Sequence, residues 1–388
     1  MNFELSDEQQ QLADSVRKVL ASDYGFEKRQ AIVRSASGFS DTAWATFADL
    51  GLTALALPEA DGGFGGGAMD LMATMEACGE ALVVEPLLDN IALGGRLLAR
   101  AGNPAQRAAL LPGLIDGTRR LAFASLEPGR RYTLAPELTT ARAEGAGWVL
   151  DGAKCVVIGA PQAHTLIVSA RTPAGASLFV VDAAAPGVAL NPCRTVDGQR
   201  SADIRFNRVR QGEQALLGPA GSALPHIDEA TDFATALLCA DAIGAMRYAN
   251  EATLEYTKTR KQFGTPIASF QVLQHRMVEM LISFEQARSM AILAAAKVDA
   301  GGDAGGDAGG DAGGDAGGDA RERGRAVSAA KVKIADAARL ISQESVQLHG
   351  GMGMTEELKI SHTFRRLTMT VQRFGDADHH LERYAALA

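Results

Sequence analysis

The sequence is poor in cysteine and in long apolar runs. Its 388 residues include four cysteines, spaced far apart and without a Cys-x-x-Cys pair, so neither a zinc site nor a disulfide framework is indicated. A reducing cytoplasm fits this usage. No apolar run reaches membrane-spanning length, and acidic Glu4, Asp7 and Glu8 stand where a signal peptide would carry positive charge. We therefore expect no membrane span and no targeting segment. The cysteines are Cys78, Cys155, Cys193 and Cys239.

The charge balance also excludes a class of partner. The chain has 38 Lys and Arg against 46 Asp and Glu, a formal net charge of -8. Such a balance argues against a nucleic-acid partner. The hydrophobic content of 47% is ample for a buried core, and the length predicts two or three domains.

Apolar periodicity divides the chain into three regions and predicts an α+β fold. Residues 1–118 follow a helical spacing that opens with a Ser6/Gln9 capping-box pattern. Residues 119–222 change to short apolar runs separated by Gly, Pro and Asp, which predicts an antiparallel β domain. Residues 223–388 return to helical spacing. The predicted strands lie at 121–125, 148–150, 155–158, 166–170, 177–181 and 204–206, and the long C-terminal helices at 234–256, 270–298, 325–348 and 358–366.

A low-complexity segment interrupts the last region. Residues 299–320 contain five Gly-Gly-Asp-Ala units, a composition that cannot bury enough apolar surface to offset its ordering entropy. We predict a disordered loop there. Calcium binding is the alternative because carboxylates recur, but the four-residue spacing matches neither the EF-hand loop nor the nonapeptide calcium repeat.

Two stretches of the last region point to a bound pyrophosphate. Arg260–Gly264 follows one predicted helix, and Gln347–Gly353, with three glycines after His349, follows another. An Arg offers a fixed fork of donors to phosphate oxygens. A Gly-rich helix end lets backbone N–H groups approach an anion. Each stretch alone is equally consistent with an ordinary helix end.

The setting of these stretches resembles the acyl-CoA dehydrogenase family. Arg260–Gly264 continues as Thr265–Gln271, and the run after Gln347–Gly353 ends in Phe364-Arg365-Arg366. The resemblance covers nearly the whole chain and is particularly strong to the small subunits of pimeloyl-CoA-dehydrogenase-like enzymes. It implies an N-terminal helical domain, a middle β domain and a C-terminal four-helix bundle. It also implies FAD as cofactor, an acyl-CoA substrate and an electron-transfer flavoprotein as electron acceptor.

The family's FAD site spans two subunits, so each half of the site can be compared with the family pattern separately. The resemblance implies that this chain contacts the diphosphate and adenosine of a partner's FAD through Arg260, Phe263, Gln271, Gln347, Gly350, Gly351 and Gly353.

The half of the site that holds the flavin ring departs from the family pattern. The family has Thr-Glu-Pro-Gly-Ala-Gly-Ser after an aromatic or small residue, whereas here Ser125 is followed by Leu-Glu-Pro-Gly-Arg-Arg-Tyr. On a second strand the family's Trp-Ile-Thr is replaced by Val156, Val157 and Ile158. Hydroxyl donors and an aromatic wall are missing. Ser125 and backbone N–H groups remain as candidate flavin contacts.

The catalytic base of the family is also displaced. Phe374 stands where most members have a Glu before the Gly, and Ala234 occupies the base position of the other branch. Asp376 is the nearest candidate base, since a base needs reach before it needs a suitable pKa. The favoured alternative is that Asp376 caps the final helix. Neighbouring His379 and His380 point in different directions on a helix, so no metal site is predicted.

Three functions remain open on the sequence. The favoured hypothesis is a β-type subunit of a hetero-oligomeric acyl-CoA dehydrogenase, in which a homologous larger subunit supplies the base and the flavin cradle. The second is a self-sufficient homo-oligomer that uses Asp376 as base. The third is a non-enzymatic acyl-CoA-binding or structural relative, against which the retained FAD residues argue.

Overall fold

The computed structural model describes residues 6–300 and 316–388. The chain forms two compact units. Unit 1 draws on Met1–Arg29, Ala68–Val83 and Thr235–Ala388, and unit 2 comprises Gln30–Gly67 and Val84–Ala234. The domain limits predicted at residues 118 and 222 stay predictions.

Helices dominate the N-terminal and C-terminal regions, as the periodicity predicts. Each predicted C-terminal helix is present but longer than expected, because helical spacing continues into partly exposed turns. A π-helix, Asp89–Gly95, precedes α5. The helices are α1 (Asp7–Asp23), α2 (Phe26–Arg34), α3 (Asp41–Asp49), α4 (Ala68–Ala81), α5 (Arg96–Ala101), α6 (Pro104–Ile115), α7 (Ala223–Thr259), α8 (Gln271–Ala300), α9 (Ala316–His349), α10 (Lys359–Gln372) and α11 (Ala377–Ala386).

The middle region is an eight-stranded, mostly antiparallel sheet, with order β6-β7-β3-β2-β4-β5-β8 and β1 alongside β4. The β1–β4 pairing is parallel, as is a single residue pair between β2 and β4. Two further strands form a small hairpin after α7. The strands are β1 (Leu121–Ala124), β2 (Thr140–Glu144), β3 (Gly147–Ile158), β4 (Thr165–Thr172), β5 (Gly175–Asp182), β6 (Val188–Arg194), β7 (Arg200–Gly212), β8 (Leu216–Leu217), β9 (Lys261–Gln262) and β10 (Thr265–Pro266).

Three strands of the eight-stranded sheet and both strands of the small hairpin escaped the sequence prediction, and two predicted runs belong to one strand. Residues 148–150 and 155–158 both lie in β3, which crosses the intervening Asp151-Gly152. Strands β2 and β6 are largely exposed and lack an alternating apolar pattern. Strand β8 has only two residues. Since apolar alternation marks only half-buried strands, these could not be found by periodicity.

Asp299 belongs to a helix and not to a loop, which corrects the start of the predicted disordered segment. Its carboxylate accepts hydrogen bonds from Ala68 N at 2.6 Å and Met69 N at 2.9 Å. These are the first two N–H groups of α4, where a carboxylate satisfies unpaired donors and favours the helix dipole. Helix α8 therefore continues to Ala300, and α9 begins at Ala316. The predicted loop between them, residues 301–315, lies outside the described residues.

Helices α4 and α7 touch through their backbones in unit 1. A Cβ atom added at Gly79 would lie 1.8 Å from Asp241 O, and one at Gly244 would lie 1.8 Å from Glu76 O. Distances this short leave no space for a side chain. The crossing therefore requires glycine at both positions.

We expect Gly79→Ala and Gly244→Ala each to lower the free energy of unfolding by about 3 kcal/mol, because an added methyl must push two helix backbones apart. Gly25→Ala is the matched control, since no atom lies within 4 Å of its added Cβ. Urea denaturation of the three variants would measure the difference. Equal, small losses would contradict the close crossing.

Candidate cofactor and active site

Two helix ends of unit 1 meet through an aromatic stack. Tyr256, near the end of α7, stacks on His349, the last residue of α9, with ring centroids 4.4 Å apart and planes at 26°. His349 is buried, and its Nδ1–H donates to Ser345 O at 2.8 Å. Burial lowers the pKa of His349, so the imidazole stays neutral near pH 7. Because the stack joins the ends of α7 and α9, Arg260 and Gln347 lie at neighbouring helix ends.

The Arg260 stretch forms a two-residue hairpin turn. Arg260 N donates to Tyr256 O at 2.8 Å, and Ile267 N donates to Arg260 O at 2.9 Å, which fixes both ends of the turn. Phe263 and Gly264 form its tip with φ of +54° and +81°. Left-handed conformations at both central residues are what such hairpins need. Phe263 is 91% exposed, so its ring faces out of this chain.

The residues predicted to hold FAD phosphates have room for a ligand. The side chains of Arg260, Gln271 and Gln347 are exposed. No atom lies within 4 Å of a Cβ added at Gly350 or Gly351, so their backbones are open to an approaching group. This set fits a diphosphate. Gly353 differs, because it is buried and an added Cβ would lie 2.6 Å from Val346 O. A packing requirement alone explains glycine there.

The predicted ring cradle, in unit 2, rests on a buried ion pair. Lys154, 1% exposed, donates to Glu127 Oε1 at 3.1 Å, Ser169 Oγ at 3.0 Å and Ser125 O at 2.9 Å. All three ammonium protons thus have acceptors. Burial lowers the pKa of Lys154 to about 8, against the opposing effect of Glu127. Ser125, which is half-buried just after β1, is therefore held through its carbonyl.

Glu127 in turn fixes the loop after β1. Its carboxylate accepts hydrogen bonds from the backbone N–H groups of Glu137, Leu138 and Thr139 at 2.7 to 2.9 Å. Burial alone raises the pKa of Glu127, but these three donors and Lys154 outweigh it and lower the pKa to about 2. The loop is therefore closed at both ends by one carboxylate.

The second cradle strand is bulged at Val156. The register of β3 against β7 shifts between Lys154 and Val157, and Val156 has φ of +51°. Its N–H donates to Asp203 Oδ1 at 2.9 Å, and its side chain is 46% exposed. The backbone donor that could replace a lost hydroxyl is thus already engaged within the chain.

The turn between α10 and α11 carries the position that the resemblance assigns to the family's base. Phe374 and Gly375 have φ of +61° and +122°. Fully buried Lys331 donates to Gly375 O at 2.7 Å and to Val371 O at 3.2 Å. His380 Nε2–H donates to Phe374 O at 3.2 Å. Two buried side chains therefore hold the left-handed turn that carries Phe374, where the resemblance predicts a carboxylate in most members.

The two other positions considered for a base are Asp376 and Ala234. Asp376 is the N-cap of α11 and its side chain accepts from His379 N at 3.0 Å, which confirms the predicted cap. A role of Asp376 as base stays a prediction. Ala234 is buried in α7.

Sequence reasoning missed Lys154, Asp203 and Lys331. Lys154 could have been recognised from the sequence, because a lysine inside the apolar run 153–158 needs an acidic partner when it is buried. Glu127, in the loop after β1, is that partner. Lys331 lies one residue after two alanines on a helix and gave no comparable signal. Asp203 is an exposed residue between buried Ala202 and Ile204 of β7 and gave none either.

Comparison with known proteins places the chain. The acyl-CoA dehydrogenase N-terminal, middle and C-terminal domain models match residues 6–118, 122–209 and 225–386. Acyl-CoA dehydrogenase FadE12 of Mycobacterium tuberculosis is 30% identical over 93% of this chain and 90% of its own length. The short-chain specific acyl-CoA dehydrogenase of human mitochondria is 27% identical over 86% of this chain and 81% of its own.

Solved structures agree on the fold. A variant of the steroid ACAD Tcur3481-Tcur3483 has a TM-score of 0.84 at 29% identity and covers 98% of this chain and 97% of its own. The ChsE4-ChsE5 complex of Mycobacterium tuberculosis has a TM-score of 0.88 at 24% identity and covers 100% and 98%.

The chain therefore belongs to the acyl-CoA dehydrogenase family. It has the family's three-part fold, with FAD as cofactor and oxidation of a CH–CH bond as the reaction class. Within the described residues, no helix is long and apolar enough to cross a membrane. No group of three or more His, Cys, Asp or Glu side chains in that part of the chain is arranged to hold a metal ion.

The Glu127 pair gives a pH-dependent prediction. Because the folded pKa of about 2 lies below the ordinary value of 4.5, this carboxylate stabilises the fold above pH 4.5, and the effect disappears as the pH falls towards 2. Glu127→Gln should be less stable than wild type by about 3 kcal/mol at pH 7, since it leaves Lys154 without its buried partner. We expect this difference to shrink steadily below pH 4.5.

Urea denaturation between pH 3 and 7 measures that difference. Glu137→Gln is the control, because Glu137 is an exposed acid in the same loop. A gap between wild type and Glu127→Gln that stays constant with pH would contradict the predicted linkage.

Proposed function

We propose that this chain is the β-type subunit of a hetero-oligomeric acyl-CoA dehydrogenase. In this assembly it supplies the diphosphate and adenosine contacts of an FAD whose ring a homologous larger subunit holds. The observation that carries the proposal is the turn at Phe374, which keeps a built left-handed backbone at the family's base position but has no carboxylate there.

The contrast between the two halves of the FAD site supports this division of labour. The side chains of Arg260, Gln271 and Gln347 are exposed, and they make no hydrogen bond within the described part of the chain. In the predicted ring cradle, by contrast, the Val156 N–H is already bonded to Asp203. Outward-facing phosphate contacts serve an FAD shared with a second subunit, and the altered ring cradle favours a different chain as the one that holds the ring. When bound, FAD accepts a hydride from the acyl β-carbon.

An apolar face on α8 supports a protein partner beside these residues. Four of its apolar side chains are more than half exposed, and Val272 directly follows Gln271. Exposed apolar patches of this kind mark interaction sites. The ChsE4-ChsE5 complex, whose fold this chain shares, is compatible with a hetero-oligomer. The exposed residues are Val272, Val278, Leu281 and Ile282.

The remaining parts of the proposal follow the family. The substrate is an acyl-CoA thioester, and an electron-transfer flavoprotein accepts the electrons. The cytoplasmic location predicted from the sequence stays a prediction. The second candidate, a self-sufficient homo-oligomer, depends on Asp376, whose carboxylate is held at the N-terminus of α11.

Arg260→Ala should weaken FAD retention by roughly tenfold to a hundredfold, because a charge-assisted phosphate contact contributes about 1.5–3 kcal/mol. Arg339→Ala is the matched control, since Arg339 is an exposed arginine of α9 about two turns before Gln347. Flavin absorbance of the assembled oligomer after dialysis gives the measurement. Equal FAD loss in both variants would remove the assigned role of Arg260.

Asp376→Asn separates the two candidate functions. Asn caps helices about as well as Asp, so the fold should persist while the charge is lost. In the subunit we propose, the co-expressed complex keeps nearly wild-type turnover. If Asp376 is the base, turnover falls by about 10²–10⁴-fold with FAD still bound. Asp378→Asn controls for a general change of charge at this helix start, and stopped-flow flavin reduction by acyl-CoA measures all three proteins.

A further inference from the structure

The loop after β1 is ordered by backbone hydrogen bonds and contains an arginine, Arg131, in a left-handed conformation. Glu127 closes the loop through its three backbone donors. Within it, Arg130 N donates to Glu127 O and Thr133 N donates to Arg130 O, both at 3.1 Å. These bonds define a compact turn. Arg131 lies in that turn with φ of +47°.

A left-handed arginine is costly and calls for an explanation. A non-glycine residue in this conformation costs roughly 1–2 kcal/mol. By the resemblance described above, position 131 corresponds to a glycine of the family's Gly-Ala-Gly-Ser run. The backbone shape suited to glycine is thus kept while the side chain is a guanidinium. Strain maintained by surrounding structure is a signature of functional sites.

The loop also carries an excess of positive charge. Arg130 pairs with the Glu137 carboxylate, and Arg171 Nε donates to Glu137 O at 3.3 Å. The second loop carboxylate, on Glu127, is taken by Lys154. Arg131 is exposed, and nothing in the described part of the chain bonds to its guanidinium. The two loop carboxylates are therefore neutralised by Arg130 and Lys154, which leaves the guanidinium groups of Arg131 and Arg171 as excess positive charge.

We propose that Arg131, supported by Arg130 and Arg171, binds a phosphate group of an adenine nucleotide. The planar guanidinium donates two parallel hydrogen bonds to phosphate oxygens, and this is the group that Arg recognises best. Where the family loop offers hydroxyls, Leu126 and Tyr132 flank an arginine pair instead. The nucleotide is either the acyl-CoA substrate or FAD. The identity of these two ligands rests on the proposed function, whereas the phosphate contact itself does not.

Arg131→Gly tests the site without disturbing the turn. Glycine adopts this φ without strain, so the thermal midpoint should stay unchanged or rise. Affinity for the phosphate-bearing ligand should fall by about tenfold or more, and Arg131→Lys should lie between the two. Arg208→Gly is the control, because Arg208 is an exposed arginine with the same φ of +47°.

Calorimetric titration of the purified full-length chain with CoA, 3′-dephospho-CoA, FAD and riboflavin identifies the source. A loss for CoA alone assigns the site to the substrate, and a loss for FAD with riboflavin unaffected assigns it to the cofactor. Either result supports the proposal. It is overturned if wild type binds none of these ligands, if Arg208→Gly weakens binding as much, or if Arg131→Gly alters only assembly with a partner subunit. Retained nucleotide affinity in Arg131→Gly beside a loss in Arg260→Ala would overturn this site and leave the proposed function standing.

Discussion

The buried pair of Glu127 and Lys154 is the interaction on which the eight-stranded sheet and its first loop depend. It joins the end of β1, the loop that follows, β3 and β4 through one ammonium and one carboxylate. Burying two charges costs several kcal/mol for each ion unless every donor and acceptor is used. Here Lys154 has three acceptors and Glu127 four donors. The backbone around the cradle is therefore fixed even though the side chains that would contact a flavin have changed.

A different principle shapes the part of unit 1 that we propose contacts FAD. The Tyr256–His349 stack and the backbone bonds at Arg260 fix two chain segments, but leave their functional side chains exposed. Such side chains lose rotamer freedom only when a ligand arrives. Residues that serve a cofactor held in part by another subunit would have this character, since their partners belong to the assembled molecule.

The sequence predicted the fold class and the long helices because each has a local signal. Helical spacing marked α7 to α10, and the short side chains of Asp376 and Ser6 marked helix starts. Strands β2 and β6 were missed because exposed strands lack alternation. The start of the predicted loop at residues 299–320 was misjudged because Asp299 is ordered by a bond to α4, which is distant in sequence. The last residues of that predicted loop, 316–320, belong to α9. Positive φ at Arg131, Val156 and Phe374 could not be read, since these residue types rarely adopt it.

The turn at Phe374 is held by hydrogen bonds that do not involve the side chain of residue 374. Lys331 is buried at a cost large enough to lower its pKa to about 8, with burial as the main cause. Burial and the nearby Lys331 also lower the pKa of His380 to about 3, so His380 donates to Phe374 O as a neutral imidazole. Both side chains act on main-chain carbonyl groups and therefore do not depend on the identity of residue 374. The turn would hold a glutamate in the same place as it holds Phe374. The loss of the base that we propose at position 374 therefore requires only a change of side chain, with the backbone bonds of the turn retained.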